Sequence, residues 1–351
     1  MTDLLPEASL VALVGLFGGV LLGLAARIGR FCTLGAIEDM FYGEKTLRLR
    51  MWGIAIGVAI IGTFGLEAAG MFDTTQSLYV GRAWNPLASI FGGLLFGYGM
   101  ALAGNCGYGA LARMGGGDLR SFLIVLVMGI AAYVTLGGPL SSLRIWAFGS
   151  TEQTAGSTTF AELLASITCL QSSTCGMAIG ALILGLTLLN ADLRKAPSYI
   201  FWGAVAGLAI VSGWVGTFYI ANVGFDAIPV VSHTFSAPIG ETMLYVMTSS
   251  GNSISFGTGS VTGVLLGALV GSLIKGHFRW EACDDARELK RQLLGGVFMG
   301  IGAVVAVGCS VGQGLSAFSV LSYSAPVTFA CIIAGAAIGL RQLILGFEPS
   351  I

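Results

Sequence analysis

Charge is what this chain has least of. Lys, Arg, Asp and Glu together make up 10% of its 351 residues, against roughly 25% in typical globular domains. That excludes an ordinary water-soluble domain. Histidine occurs only twice, and none of the 7 cysteines stands in a Cys-x-x-Cys pair, so neither a metal cluster nor a dithiol redox motif is indicated. The net charge is −1 with no basic patch, which leaves nothing for a nucleic acid to bind. The first residues carry acids and no Lys or Arg before Arg27. They lack the basic start of a cleaved signal peptide, and residues 8–28 read as a retained first span.

What is present is apolar length. Apolar residues make up 55% of the chain, and a helix needs about 20 of them in a row to cross a hydrocarbon core. Nine such runs are predicted, at 8–28, 48–69, 86–104, 119–138, 176–191, 198–216, 257–275, 291–308 and 325–345. The 54 glycines allow helices to approach closely and permit non-helical backbone inside a membrane protein.

One phrase recurs. A Gly-Gly pair (Gly18-Gly19, Gly92-Gly93, Gly295-Gly296) is followed by a glycine four residues on (Gly23, Gly97, Gly300). Then come a cysteine thirteen residues after the pair (Cys32, Cys106, Cys309) and a glycine three residues after that. A weaker fourth copy has Gly203 and Gly207 in register, with Gly216 in the cysteine position. After each cysteine comes a stretch too short to cross and too apolar for water, best read as a re-entrant half-helix. The expected fold is all-α and integral to the membrane, hourglass-like, with nine transmembrane helices and about four re-entrant ones. Re-entrant turns are placed at Cys32, Cys106, Gly216 and Cys309.

Fifteen of the 17 Lys and Arg residues fall on one side of this nine-span arrangement, and only Arg82 and Arg144 on the other. The asymmetry puts the N-terminus outside and the C-terminus in the cytoplasm. Residues 1–138 form a first half, 139–197 an external loop with a connecting fifth span, and 198–351 a second half of inverted orientation. Transporters built this way place their substrate site near the midplane, between broken helices.

Turns opening short helices present free backbone N–H groups and partial positive charge, which favour an anion without a buried Lys or Arg. A neutral thiol there adds a weak, soft donor, whereas a thiolate would repel an anion. The substrate-pathway residues are therefore Cys309, Cys106 and Cys32. Asn105, Gly107, Gly308, Ser310 and Gln313 are further candidate contacts, with turn or cap roles as their alternative. Cys169 and Cys175 lie in the external segment and form a candidate disulfide, or stay as unpaired thiols. No metal site and no cofactor is expected: His233 and His277 fall on opposite sides, and Cys283 lacks partners.

The repeated cysteine turns at Cys106, Cys309 and Cys32, each with a glycine three residues on, resemble those of the YeeE/YedE family of bacterial inner-membrane proteins, which includes thiosulfate transporters. The likeness extends over nearly the whole chain. It implies thiosulfate uptake for sulfur assimilation, with the ion handed by S–H hydrogen bonds from Cys309 (outer) to Cys106 (middle) and Cys32 (inner). It also implies a possible partner, a small cytoplasmic sulfur carrier of the TusA type. Other members are linked to other sulfur or selenium compounds. Two readings of different class stand beside it, a membrane thiol oxidoreductase and a structural scaffold.

Overall fold

The computed structural model describes residues 6–43, 45–149, 159–281 and 285–346. Among them the secondary structure is helical throughout apart from two isolated bridges. In chain order the helices are α1 (Glu7–Arg27), α2 (Thr33–Phe41), α3 (Leu47–Ala68), α4 (Pro86–Ala103), α5 (Gly107–Met114), α6 (Leu119–Leu136), α7 (Leu140–Phe148) and α8 (Phe160–Thr168). There follow α9 (Ser172–Leu188), α10 (Ala191–Arg194), α11 (Pro197–Val223), α12 (Ser236–Thr248), α13 (Phe256–Lys275), α14 (Ala286–Val305) and α15 (Ser324–Leu345). A π-helical turn, Gly312–Ala317, lies between the last two.

Local sequence explains several of the starts and stops. Asn85 accepts from the Ala88 amide (3.2 Å) with Pro86 in the first turn of α4, and Gly104 ends that helix in the left-handed region at φ +71°. Asp118, the residue before α6, accepts from the Arg120 and Ser121 amides at 2.9 and 3.3 Å. Both arrangements satisfy donors that a helix start otherwise leaves unpaired.

Among the described residues seven helices are long and apolar enough to cross a bilayer: α1, α3, α4 (taken with α5), α6, α11, α13 and α15. The pair α8 and α9, bent by 113°, raises this to eight. The expected fifth and eighth spans coincide with α9 and α14; α9 has only 17 residues, and α14 opens on charged residues.

The repeated glycines seat the helices on one another. Cβ atoms on Gly15, Gly19 and Gly23 would collide with the carbonyls of Phe256, Ser260 and Val264. Those on Gly259, Gly263 and Gly267 would strike Ala12, Leu16 and Val20 in return. The matching order makes α1 and α13 parallel, backbone against backbone, the close approach that small residues permit. Gly93 and Gly97 set α4 parallel to α15, Gly296 and Gly300 set α14 parallel to α6, and Gly203 and Gly207 set α11 parallel to α3. By contrast α4 runs antiparallel to α14, and α3 to α9.

Two expectations need correction. Gly216 is not a turn: it lies inside the unbroken 27-residue α11, where a Cβ would strike Val14 of α1. It serves helix contact, and no breaker stands near it. The break comes at Gly224–Phe235, ahead of α12. Nor do Cys169 and Cys175 form a disulfide: both are free. Cys169 is exposed at the end of α8 with φ +57°, while Cys175 turns inward from the start of α9 with its sulfur 3.6 Å from the Thr168 hydroxyl. Cys283 lies outside the described residues.

Candidate functional site

The three cysteine turns share one backbone form. The residue two positions before each cysteine is left-handed: Arg30 at φ +57°, Gly104 at +71° and Val307 at +55°. Only the second is a glycine, and a left-handed β-branched Val307 costs on the order of 1–3 kcal/mol. Each cysteine then stands immediately before a short helix whose first turn is buried: α2 after Cys32, α5 after Cys106, and the helix containing the π-turn after Cys309.

The glycine three residues after the cysteine has a local role. The Cys106 sulfur accepts from the Gly109 amide at 3.3 Å, and the Cys309 sulfur from the Gly312 amide at 3.5 Å. At Cys32 the Gly35 amide faces the sulfur in the same register. The sulfur lone pairs cap the helix start, which leaves each S–H free to donate elsewhere. Further donors close in. Thr33, from the first turn, reaches the Cys106 sulfur (4.0 Å). The Phe235 amide (3.4 Å) and the Thr234 hydroxyl (3.6 Å) approach the Cys309 sulfur.

Gly109 marks where two of the turns meet. A Cβ placed there would lie 3.5 Å from the Cys106 sulfur and 3.8 Å from both the Cys32 sulfur and the Asn105 Oδ1. That amide oxygen is buried and makes no hydrogen bond. The buried Ser310 hydroxyl, beside Cys309, also lacks a hydrogen-bond partner and approaches the Cys106 thiol. Cys106 and Cys309 are 0% and 1% exposed, whereas Cys32 is partly open.

Cavities lie on either side of this buried layer. One, of about 700 Å³, is bordered by Cys32, Asn105 and Gly109, with Arg30, Arg113 and Arg279 on its walls. Those three arginines make no ion pair among the described residues. A second, of about 510 Å³, reaches Thr234, the residue in contact with Cys309. Between them Tyr108 packs on Phe235 with ring centroids 5.3 Å apart.

The other candidates divide. Gln313 donates to the Ala306 and Val307 carbonyls (2.9 and 3.1 Å) and accepts from Ser324 (3.2 Å), so its amide is used in holding the Cys309 turn. Gly107 packs on Met128, and Gly308 with φ +154° packs on Gln313. His233 is buried with Nδ1 2.6 Å from the Ser260 hydroxyl, and His277 borders the larger cavity. Among the described residues no three His, Cys, Asp or Glu are placed to share a metal ion. Thr33, Thr234 and Phe235 were not indicated by sequence: they carry no repeat signature and act only by meeting a turn distant in the chain.

Residues 28–338 match the family described as sulphur transport. Over 339 residues the chain is 26% identical to the thiosulfate transporter TsuA of Escherichia coli (strain K12), covering 92% of each. A thiosulfate transporter TsuA of Spirochaeta thermophila is 24% identical over 318 residues, 88% of this chain and 92% of that one. The probable transporter YedE of Escherichia coli (strain K12) is similar over a shorter stretch, 29% across 108 residues, 31% of this chain and 25% of its own. The chain belongs to the sulphur transport family, YeeE/YedE, and is a transporter rather than an enzyme.

Proposed function

We propose that this protein takes up thiosulfate across the bacterial inner membrane, passing it from Cys309 to Cys106 and Cys32. The observation that carries this reading is the meeting of two sulfurs and an unpaired amide oxygen at Gly109, at the edge of a cavity lined, among the described residues, by five arginines and only two carboxylates, Glu38 and Glu281. With the lone pairs of Cys106 and Cys309 engaged by backbone amides, the S–H groups are weak, successive donors, and an anion held by such contacts can leave each site. The Asn105 amide, turned over, offers its NH₂ to the same ion. The two TsuA relatives, both thiosulfate transporters by name, favour thiosulfate among sulfur anions.

Helix directions support nine crossings. A chain that alternates across the bilayer makes its first, third, seventh and ninth spans parallel, and its second, fourth, sixth and eighth parallel. The pairs α1 with α13, α4 with α15, α3 with α11 and α6 with α14 have these directions, while α4 with α14 and α3 with α9 are opposed. The same pairs support an inverted repeat: exchanging the halves sends α1 on α13 to α11 on α3, and α4 on α15 to α14 on α6. In this reading α2, α5, α12 and the helix after Cys309 enter without crossing. The excess of Lys and Arg on one side favours a periplasmic N-terminus. A TusA-type carrier would then meet the cytoplasmic mouth, where its thiolate takes the sulfane sulfur of thiosulfate as a persulfide and sulfite leaves.

The test is growth. A strain stripped of its other uptake routes, with thiosulfate as sole sulfur source, is expected to grow when it expresses this chain. Growth on sulfite or a selenium analogue but not on thiosulfate would transfer the reading to that compound. Growth on none of them would overturn it.

A further inference from the structure

Arg82 and Arg144, the two basic residues on the side opposite the other fifteen, come together. They border one cavity of about 360 Å³ that no carboxylate lines among the described residues. Among the described residues Arg82 makes no ion pair or hydrogen bond, and Arg144 gives only one, from Nη2 to the Leu136 carbonyl at 3.3 Å. The Nε of Arg144 is buried and unpaired. Partial burial, and then the neighbouring Arg82, hold the Arg144 guanidinium below its ordinary value. Two like charges facing a shared hollow repel each other unless something negative sits between them.

The setting is built rather than incidental. Arg144 is carried by α7, which is fastened to α4 by stacking of Phe148 on Phe91 (centroids 5.7 Å) and by the Asn85 amide donating to the Phe148 carbonyl (3.5 Å). The opposite wall includes Val307, two residues from Cys309 in the same turn, and Tyr79, whose ring also borders the cavity that reaches Thr234. An ion held here rests on the back of the turn that carries Cys309.

We propose that Arg82 and Arg144 form an external capture site for a small divalent oxyanion, which holds the ion before it meets the thiols. The assignment rests on the transport reading above and adds a second site to it. A divalent anion neutralises both guanidinium groups. Charge alone is read here, so sulfate binds as well as thiosulfate, and selection for the sulfur end is left to the cysteines. The site also concentrates the ion at the outer mouth, an effect that weakens with ionic strength.

The test uses the full chain in two assays, with labelled thiosulfate uptake in one and equilibrium binding of labelled sulfate to the purified protein in the other. The paired variant Arg82→Gln with Arg144→Gln is expected to raise the half-saturating concentration for uptake at least about tenfold with little change in maximal rate. It is also expected to lose sulfate binding, while lysines at both positions preserve most of it. Cys106→Ala keeps sulfate binding although its thiosulfate uptake falls by roughly 10- to 100-fold. An unchanged half-saturating concentration in the paired variant, with normal wild-type uptake, overturns the capture site and leaves the transport reading intact. Arginine-dependent sulfate binding in a wild-type protein that takes up no thiosulfate supports the site and removes the transport reading. Loss of sulfate binding in both the glutamine and the lysine pairs, with a lowered Tm, assigns the arginines to structure and overturns the proposal.

Discussion

Alanine at Cys106 is expected to lower thiosulfate uptake by roughly 10- to 100-fold, the loss of one hydrogen bond to a charged group worth about 1.5–3 kcal/mol. The thiol is fully buried, touches the Gly109 amide and Thr33, and shares the Gly109 position with Cys32. Removing it deletes the middle donor and leaves only a small void. Cys331→Ala is the control: that residue is partly exposed on α15, borders neither of the cavities flanking the thiols, and its replacement should leave uptake near wild type. Gly109→Ala probes the same point from the other direction. Its methyl group would make ordinary contacts at 3.5–3.8 Å with both sulfurs and Asn105, so the protein still folds, and α5 gains roughly 1 kcal/mol of helix propensity. Uptake should nevertheless fall about as far as in Cys106→Ala, because the methyl occupies the space an ion would use. Uptake retained in both variants, with normal protein levels, would remove Cys106 from the path.

Gly259→Ala acts on stability instead. A methyl there would overlap the Ala12 carbonyl oxygen and come within 2.7 Å of its carbon, and both are backbone atoms of a parallel helix that cannot rotate aside. Either α1 or α13 must move, and the shift spreads along a seam that also depends on Gly15, Gly19, Gly263 and Gly267. Overpacking of this kind costs about 1–3 kcal/mol, and the Tm in detergent should drop by several degrees or more. Gly185→Ala, on α9 with nothing within 4 Å of the new methyl, is the matched control and should leave the Tm unchanged or higher. Equal Tm values for the two variants would mean that the α1–α13 seam tolerates separation.

Much of this was legible in the chain because the repeat writes two physical demands side by side. The glycines at the pair and four residues on recur because helix backbones touch there, and Gly19, Gly23, Gly93, Gly97, Gly203, Gly207, Gly296 and Gly300 all take that role. The cysteine with glycine three residues later recurs because a sulfur caps the next short helix. Gly216 misled because it matches the cysteine register yet answers only the packing demand, against Val14. The left-handed Arg30 and Val307 left no mark, since neither is a residue that favours that backbone, and their conformation is imposed by the surrounding fold. Thr33 and Thr234 escaped for another reason: which side chain meets a sulfur 73 or 75 residues away depends on how the turns meet. Cys169 and Cys175 are near in sequence, but a helix end turns one outward and buries the other.

A relay requires the anion to visit the thiols, and Cys32, partly open to the larger cavity, reports such a visit most directly. Alkylation of the purified wild-type protein by N-ethylmaleimide, followed residue by residue by mass spectrometry, compares Cys32 with the exposed Cys169 in thiosulfate or in chloride of equal ionic strength. Thiosulfate should slow the modification of Cys32 several-fold in a saturable way and leave Cys169 unaffected. Equal rates at Cys32 under saturating thiosulfate would contradict the account.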